Sequence, residues 1–148
     1  MKKIILIVTV FLICVTSFAQ ILKPVKWSYS SKRINDSEAT VFIKATMENG
    51  WHIYSQTVPD GGPEATSFTF SASNDYKLKG KTIEPEPITR FVNAFKIKLS
   101  YFENSVVFQQ RITQVGGSPT VEGNVVYMVC NDMKCLAPDE VEFSLSVK

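Results

Sequence analysis

With 148 residues, 16 Lys and Arg against 14 Asp and Glu, and 45% hydrophobic residues, the chain is sized for one domain around one buried core. Two of the basic residues, Lys2 and Lys3, sit at the amino terminus; beyond them acidic and basic side chains balance, which leaves no charge excess for nucleic acid or an anionic membrane. No internal repeat and no low-complexity tract is present.

Met1-Lys2-Lys3, the apolar run from Ile4 to Val15 and Thr16-Ser17-Phe18-Ala19 have the three parts of a secretory signal peptide, with small side chains at Ser17 and Ala19 ahead of Gln20. The expected division is a signal peptide over 1–19, cleaved between Ala19 and Gln20, and a single domain over 20–148. The apolar run is shorter than the about 20 residues that a bilayer span takes, which disfavours an uncleaved anchor. Cys14 lies inside that run between Ile13 and Val15, without the small preceding residue of a lipoprotein signal, and is expected to leave with the peptide. No second apolar span follows, so the mature chain is expected to be soluble, without membrane insertion, in an exported compartment that permits disulfides.

The next segments read as strands. Ala39 to Met47 alternates, with Ala39, Val41, Ile43, Ala45 and Met47 on one face, and Asn49-Gly50 after it is a turn signal. Similar runs follow at Ser67 to Ser71, Tyr76 to Gly80, Lys96 to Phe102, Val106 to Ile112, Val121 to Cys130 and Val141 to Val147. Breakers separate most of them: Pro59-Asp60-Gly61-Gly62-Pro63, Asn74-Asp75, Pro85-Glu86-Pro87, Glu103-Asn104 and Gly116-Gly117-Ser118-Pro119. No segment keeps a helical period for more than about two turns. Many short strands with regular breakers predict an all-β fold, an antiparallel two-sheet sandwich of immunoglobulin-like type.

Three stretches between these strands are candidates for a site. Trp51-His52-Ile53-Tyr54 reads as an aromatic-rich strand start, where a period of two puts His52 and Tyr54 on one face and Trp51 and Ile53 on the other; the residues alone favour Trp51 as core and His52 as surface. Ser55 to Ala65, with two prolines and two glycines, reads as a solvated connection, since no phosphate-binding glycine pattern is present. Arg90 to Phe95 carries two phenylalanines in a connection after a Pro-rich segment. Such residues either tuck into the core or cover something, and the residues alone favour the core.

The most informative stretch is Val125 to Pro138. An apolar strand ends on Cys130, turns through Asn131-Asp132-Met133-Lys134, and leaves through Cys135 into the alternating run that begins at Val141. Residues at the two feet of a short hairpin loop face each other with Cα atoms roughly 4.5 to 5.5 Å apart, inside the window for a disulfide. Closing so small a loop stabilises the fold by only about 2 kcal/mol, against more than about 4 for a loop near 100 residues. A staple is poorly placed here. A redox couple is well placed, because both sulfurs sit in one accessible loop and Lys134 beside Cys135 favours a thiolate. Spacing does not choose between a redox pair and a structural bond. A structural zinc site would want four Cys or His ligands, and the mature chain offers two cysteines and one histidine. No metal and no cofactor is expected.

Gly50-Trp51-His52-Ile53-Tyr54, Phe91 to Phe95 leading into Lys98-Leu99-Ser100-Tyr101-Phe102, and Tyr127-Met128-Val129-Cys130 with Cys135-Leu136-Ala137-Pro138 together resemble the periplasmic N-terminal domain family of the thiol:disulfide interchange protein DsbD, in order and over nearly the whole mature chain. The resemblance implies an immunoglobulin-like sandwich in the periplasm whose cysteine pair takes electrons from a membrane electron donor domain and passes them to periplasmic thioredoxin-like proteins. It implies that Cys135 forms the mixed disulfide with a partner and Cys130 resolves it. It also implies that Phe91 or Phe95 caps the pair, and that His52 and Tyr54 stand among the aromatics around it. The four-residue spacer differs from the five of better-known members, so their potential does not transfer. The chain ends at Lys148, short of a membrane domain and a C-terminal thioredoxin-like domain. The expectation is a stand-alone thiol-disulfide exchange module, a component of a protein-disulfide reductase system. The alternative is a non-enzymatic exported sandwich that binds a partner and uses the disulfide only to pin a hairpin.

Overall fold

The computed structural model describes residues 22–115 and 117–148; the expected signal peptide over 1–19 and its cleavage point lie outside the described residues. One layer is a four-stranded antiparallel sheet built around β2 (Glu38–Met47), where the alternation read from the sequence sends Ala39, Val41, Ile43, Ala45 and Met47 inward. On one side β2 pairs with β1 (Val25–Arg33), from Val25 opposite Met47 to Arg33 opposite Ala39. On the other it pairs with β8 (Ser105–Gln114), which alternates in the same sense and buries Val106, Phe108, Gln110, Ile112 and Gln114. β5 (Tyr76–Ile83) completes the sheet against β8 with a register shift between Lys79 and Ile83.

The opposite layer consists of two smaller antiparallel sheets. β11 (Asp139–Ser146), β9 (Thr120–Tyr127) and β4 (Ser67–Phe70) form one, with β9 central. β10 (Val129–Cys130), β3 (His52–Tyr54), β7 (Ile97–Glu103) and β6 (Ile88–Val92) form the other, in that order. The run expected as one strand from Val121 to Cys130 is therefore two, interrupted at Met128, where the chain leaves the partners of β9 and joins β3. Two strands were absent from the sequence reading. β1 carries an alternation of Val25, Trp27 and Tyr29, and β6 occupies part of the stretch taken for a connection.

The main core lies between the layers, joining β1, β2, β5 and β8 to Trp51, Ile53, Phe102, Val121, Tyr127, Val129 and Phe143. Phe108 is its centre: the rings of Trp27, Phe68 and Phe102 lie 6.4, 4.8 and 5.8 Å away, the tilted or edge-on contacts that aromatic quadrupoles favour. The architecture is all-β and immunoglobulin-like, as the strand pattern predicts. With β3, β7 and β10 giving one face to this core, their other face is left free to carry a second group of side chains.

Candidate functional site

That second face follows from register. Ile53 lies opposite Val129 and Phe102, and all three belong to the main core. The next residues in line, Cys130 opposite His52 and Tyr54 opposite Tyr101, must then point the other way, together with Leu99, two positions before Tyr101. Tyr54, Leu99, Tyr101 and Cys130 form a separate buried cluster, against which Val58, Val92, Phe95, Ile97 and Met128 pack. Cys130 thus belongs to a small apolar assembly outside the main core.

The two cysteines are bonded, with their Cα atoms 4.0 Å apart, a little closer than the expected spacing. Backbone pairing explains the approach. Asn131 N donates to Lys134 O and Leu136 N donates to Val129 O, both at 2.9 Å, so the bridge between Cys130 and Cys135 falls at the narrow, non-hydrogen-bonded position of the ladder, where side chains come closest. Asn131 also shapes the loop, its Oδ1 accepting from the backbone N–H groups of Met133 (2.9 Å) and Lys134 (2.8 Å). The two sulfur-bearing residues differ sharply: Cys130 is 2% exposed, Cys135 is exposed, as are Asp132 and Lys134, and Met133 at the tip is 92% exposed. Leu136, next in line, turns back onto the main core.

The phenylalanine segment is a hairpin, not a free connection. Ile88 to Val92 pairs with Ile97 to Tyr101, and residues 93–96 form its tip, where Phe95 N and Lys96 N both donate to Val92 O (3.2 and 2.9 Å). Lys96 closes the turn in the left-handed region at φ 56°, a conformation that non-glycine residues adopt in only a few per cent of cases. Phe91, one residue from Val92, falls on the opposite side of β6 and is 59% exposed, whereas Phe95 folds onto the cluster that contains Cys130. Neither phenylalanine enters the main core, contrary to what the residues alone favoured. The pairing of β6 with β7 holds the hairpin tip at the edge of the second face instead.

One further expectation is revised. His52 is half-buried and not a surface residue: its ring lies 4.8 Å from that of Tyr101 and 5.3 Å, edge-on, from that of Tyr54, and its Nε2 is 3.3 Å from the Tyr54 hydroxyl. Burial lowers its pKa from the ordinary value, against the opposing pull of the carboxylates of Glu103 and Asp132. Burial likewise raises the Tyr54 phenol, with Tyr101 adding to the shift. The stretch from Ser55 to Ala65 is a connection exposed at Thr57, Pro59, Asp60, Gly61 and Glu64, as its composition suggests, but it is tied down at several points. Within it Ser55 and Pro63 are buried and Val58 packs on the cluster. The Glu84 carboxylate anchors the start of the loop by accepting from Ser55 Oγ and from Gln56 N (2.9 Å). Gly62 lets the loop close down, since a Cβ there would lie 2.5 Å from Val58 Cγ1 and 3.3 Å from Leu99 Cδ2.

The structure therefore gathers His52, Tyr54, Phe95, Cys130 and Cys135 at one place and leaves Phe91 outside it. Sequence reasoning gave no role in the site to Val58, Leu99, Tyr101, Met128 or Asn131. Alternation pairs Leu99 with Tyr101, but only strand register says which face they share with Cys130. Among the described residues no group of three or more His, Cys, Asp or Glu side chains is arranged to hold a metal ion.

An immunoglobulin-like sandwich that carries a disulfide in an exposed hairpin, over a private apolar cluster, is suited to a redox-related role. The family model described as the N-terminal part of the thiol:disulfide interchange protein DsbD matches residues 19–147, and the chain belongs to that family of periplasmic domains. Among solved structures it is similar to the N-terminal periplasmic domain of ScsB from Proteus mirabilis, with TM-score 0.59 and 16% identity over 85% of this chain and 47% of that one. The chain thus spans about half the length of that relative. It is also similar to the DsbD N-terminal domain of Neisseria meningitidis in its reduced form, with TM-score 0.51 and 12% identity over 80% of this chain and 83% of that one. A third similarity is to the complex between the DsbD and PilB N-terminal domains of the same organism, with TM-score 0.55 and 11% identity over 84% and 87%. At these identities the likeness is one of fold. No curated protein matches the chain.

Removing the disulfide should leave the fold standing. Closing a loop with a sequence separation of 5 contributes only about 2 kcal/mol, whereas a domain has about 5 to 15 kcal/mol of stability. A Cys130→Ser, Cys135→Ser double variant is expected to unfold cooperatively with a melting temperature lowered by about 4 to 8 °C per kcal/mol lost at the smaller domain sizes, and less here. Non-cooperative melting of that variant would mean that the bond holds the domain together.

Proposed function

We propose that Cys130 and Cys135 are a redox couple through which this periplasmic domain passes reducing equivalents to or from thioredoxin-like partners, recharged by a membrane electron donor domain. The observation that carries the reading is the asymmetry of the pair: one cysteine is buried in an apolar cluster and the other exposed in a four-residue loop, directly bonded to each other. A staple needs no such difference. Exchange needs one sulfur that a partner can reach and one that reaches only its neighbour. Cys135 is assigned the first role and Cys130 the second, with Phe95 as the lid and Tyr54, His52 and Tyr101 as the walls. Phe91, exposed on the far side of the hairpin, has no part in the lid. The DsbD relative from N. meningitidis occurs in a complex with another N-terminal domain, which supports a protein partner here. The proposed mature chain begins at Gln20, after removal of 1–19.

Titration of the mature protein against a glutathione redox buffer, followed by mass spectrometry of trapped thiols, is the direct test. A working couple is expected to have its midpoint well above about −300 mV, where structural disulfides of exported proteins lie below. A midpoint below that value would return the disulfide to the role of a hairpin pin.

A further inference from the structure

We infer that His52 is the proton acceptor that activates Cys130 for the resolving step, an inference that rests on the exchange reading above. The geometry comes from register. His52 is the direct cross-strand partner of Cys130, on the same face of the β3 and β10 pair, at the separation where opposite side chains of an antiparallel ladder meet. It is the only histidine in the chain.

The chemistry requires such a group. When the pair is reduced, the exposed Cys135 thiolate attacks a partner disulfide, forms the Cys135–partner bond and expels one partner thiolate. Cys130 must then lose its proton before its sulfur can attack Cys135, form the Cys130–Cys135 bond and expel the second partner thiolate. Two electrons pass from the dithiol to the partner disulfide. Cys130 is 2% exposed, with Leu99 in its cluster and Phe95 and Met128 packed against it, surroundings that disfavour a thiolate and limit access of water as a base. A neutral imidazole across the strand accepts that proton and later gives it to the departing partner thiolate or to water.

The groups facing His52 are consistent with this role. On its own strand Tyr54 meets its Nε2, on β7 it faces Tyr101 and Glu103, on β10 it faces Cys130, and from the hairpin loop Asp132 acts on it by charge. Burial keeps the ring neutral near pH 7, the form that accepts a proton, while Glu103 and Asp132 stabilise the imidazolium once it forms. With the folded pKa lowered, the imidazole ceases to be available only as pH falls below the ordinary histidine range.

The test uses the reduced mature protein and the small aromatic disulfide 5,5′-dithiobis(2-nitrobenzoate), which releases one coloured thiolate on attack by Cys135 and a second when Cys130 resolves the adduct. Stopped-flow traces of the parent, His52→Gln and His52→Phe are recorded from pH 5 to 8. The expected result is a first release within about twofold of the parent in both variants and a second release slowed at least about tenfold at pH 7, the scale of a lost general base. The parent's second release should also show a limb below the ordinary histidine pKa that both variants lack. A second release that both variants leave unchanged in rate and pH profile would overturn the role of His52 alone. Absence of any second release from the parent would overturn the exchange reading together with it.

Discussion

Cys130→Ser is expected to accumulate a mixed disulfide through Cys135 when incubated with an oxidised thioredoxin-like protein, and Cys135→Ser is expected to accumulate at least about tenfold less, because exchange proceeds only at a sulfur that the attacking or accepting thiol can reach. The difference is built into the hairpin. Cys130 ends β10 with 2% of its surface exposed, its side chain turned into the cluster of Tyr54, Leu99 and Tyr101. Cys135 sits across the ladder on the outgoing arm, exposed, with Lys134 before it and the Asn131 turn holding the loop open to solvent. A cation beside the sulfur and access to it both favour the thiolate at Cys135. Non-reducing gels and mass spectrometry count the adducts, and equal trapping by the two variants would remove the assignment of roles.

Phe95→Ala is expected to speed reduction of the disulfide by dithiothreitol by roughly three- to tenfold, a barrier change of about 1 kcal/mol. Phe91→Ala is expected to leave the rate unchanged. Attack at the exposed Cys135 expels Cys130, which stands in the apolar cluster on which Phe95 packs. A thiolate leaving there is poorly hydrated, and removal of the Phe95 ring is expected to admit water to it. Stability separates a lid from a core residue. Phe→Ala in a core typically costs about 3 to 5 kcal/mol. Phe95 covers only a small cluster at a hairpin tip and should cost less, and the exposed Phe91 should fall within the about 0.5 kcal/mol of ordinary surface changes. A large fall in melting temperature for Phe95→Ala with an unchanged reduction rate would overturn the lid. Lids of this kind set rate and partner choice more than stability, since a partner must displace them to reach the bond.

The behaviour of the phenylalanine segment shows where sequence reasoning reaches its limit. The Pro-rich Pro85-Glu86-Pro87 before it made Arg90 to Phe95 read as a connection, yet Ile88 to Val92 is a strand because β7 offers it an edge. With one face of β6 exposed throughout, its alternation carries little hydrophobic signal. The same holds for His52. Period two correctly put it with Tyr54 and apart from Trp51 and Ile53, but the residues alone assigned that face to solvent, and only the cover provided by Val58 and Phe95 makes it a second interior.

What the amino-acid sequence determined by itself is the all-β character, most of the strands and the cysteine hairpin, because each is written in the alternation and turn residues of one short stretch of chain. Alternation of apolar side chains sets strand faces, turn residues set hairpins, and a four-residue spacer brings Cys130 and Cys135 together wherever the hairpin happens to lie. What only the tertiary structure decided is which cysteine is buried, which phenylalanine packs on its cluster and what stands opposite it. Those answers depend on pairings between distant segments: β3 with β10 places His52 across from Cys130, β6 with β7 places Phe95 over the cluster, and the loop after Ser55 closes on Leu99 through Gly62. A shift of one residue in any of these registers would send the same side chains to the other face of the sheet, and a single sequence carries no record of register between strands so far apart.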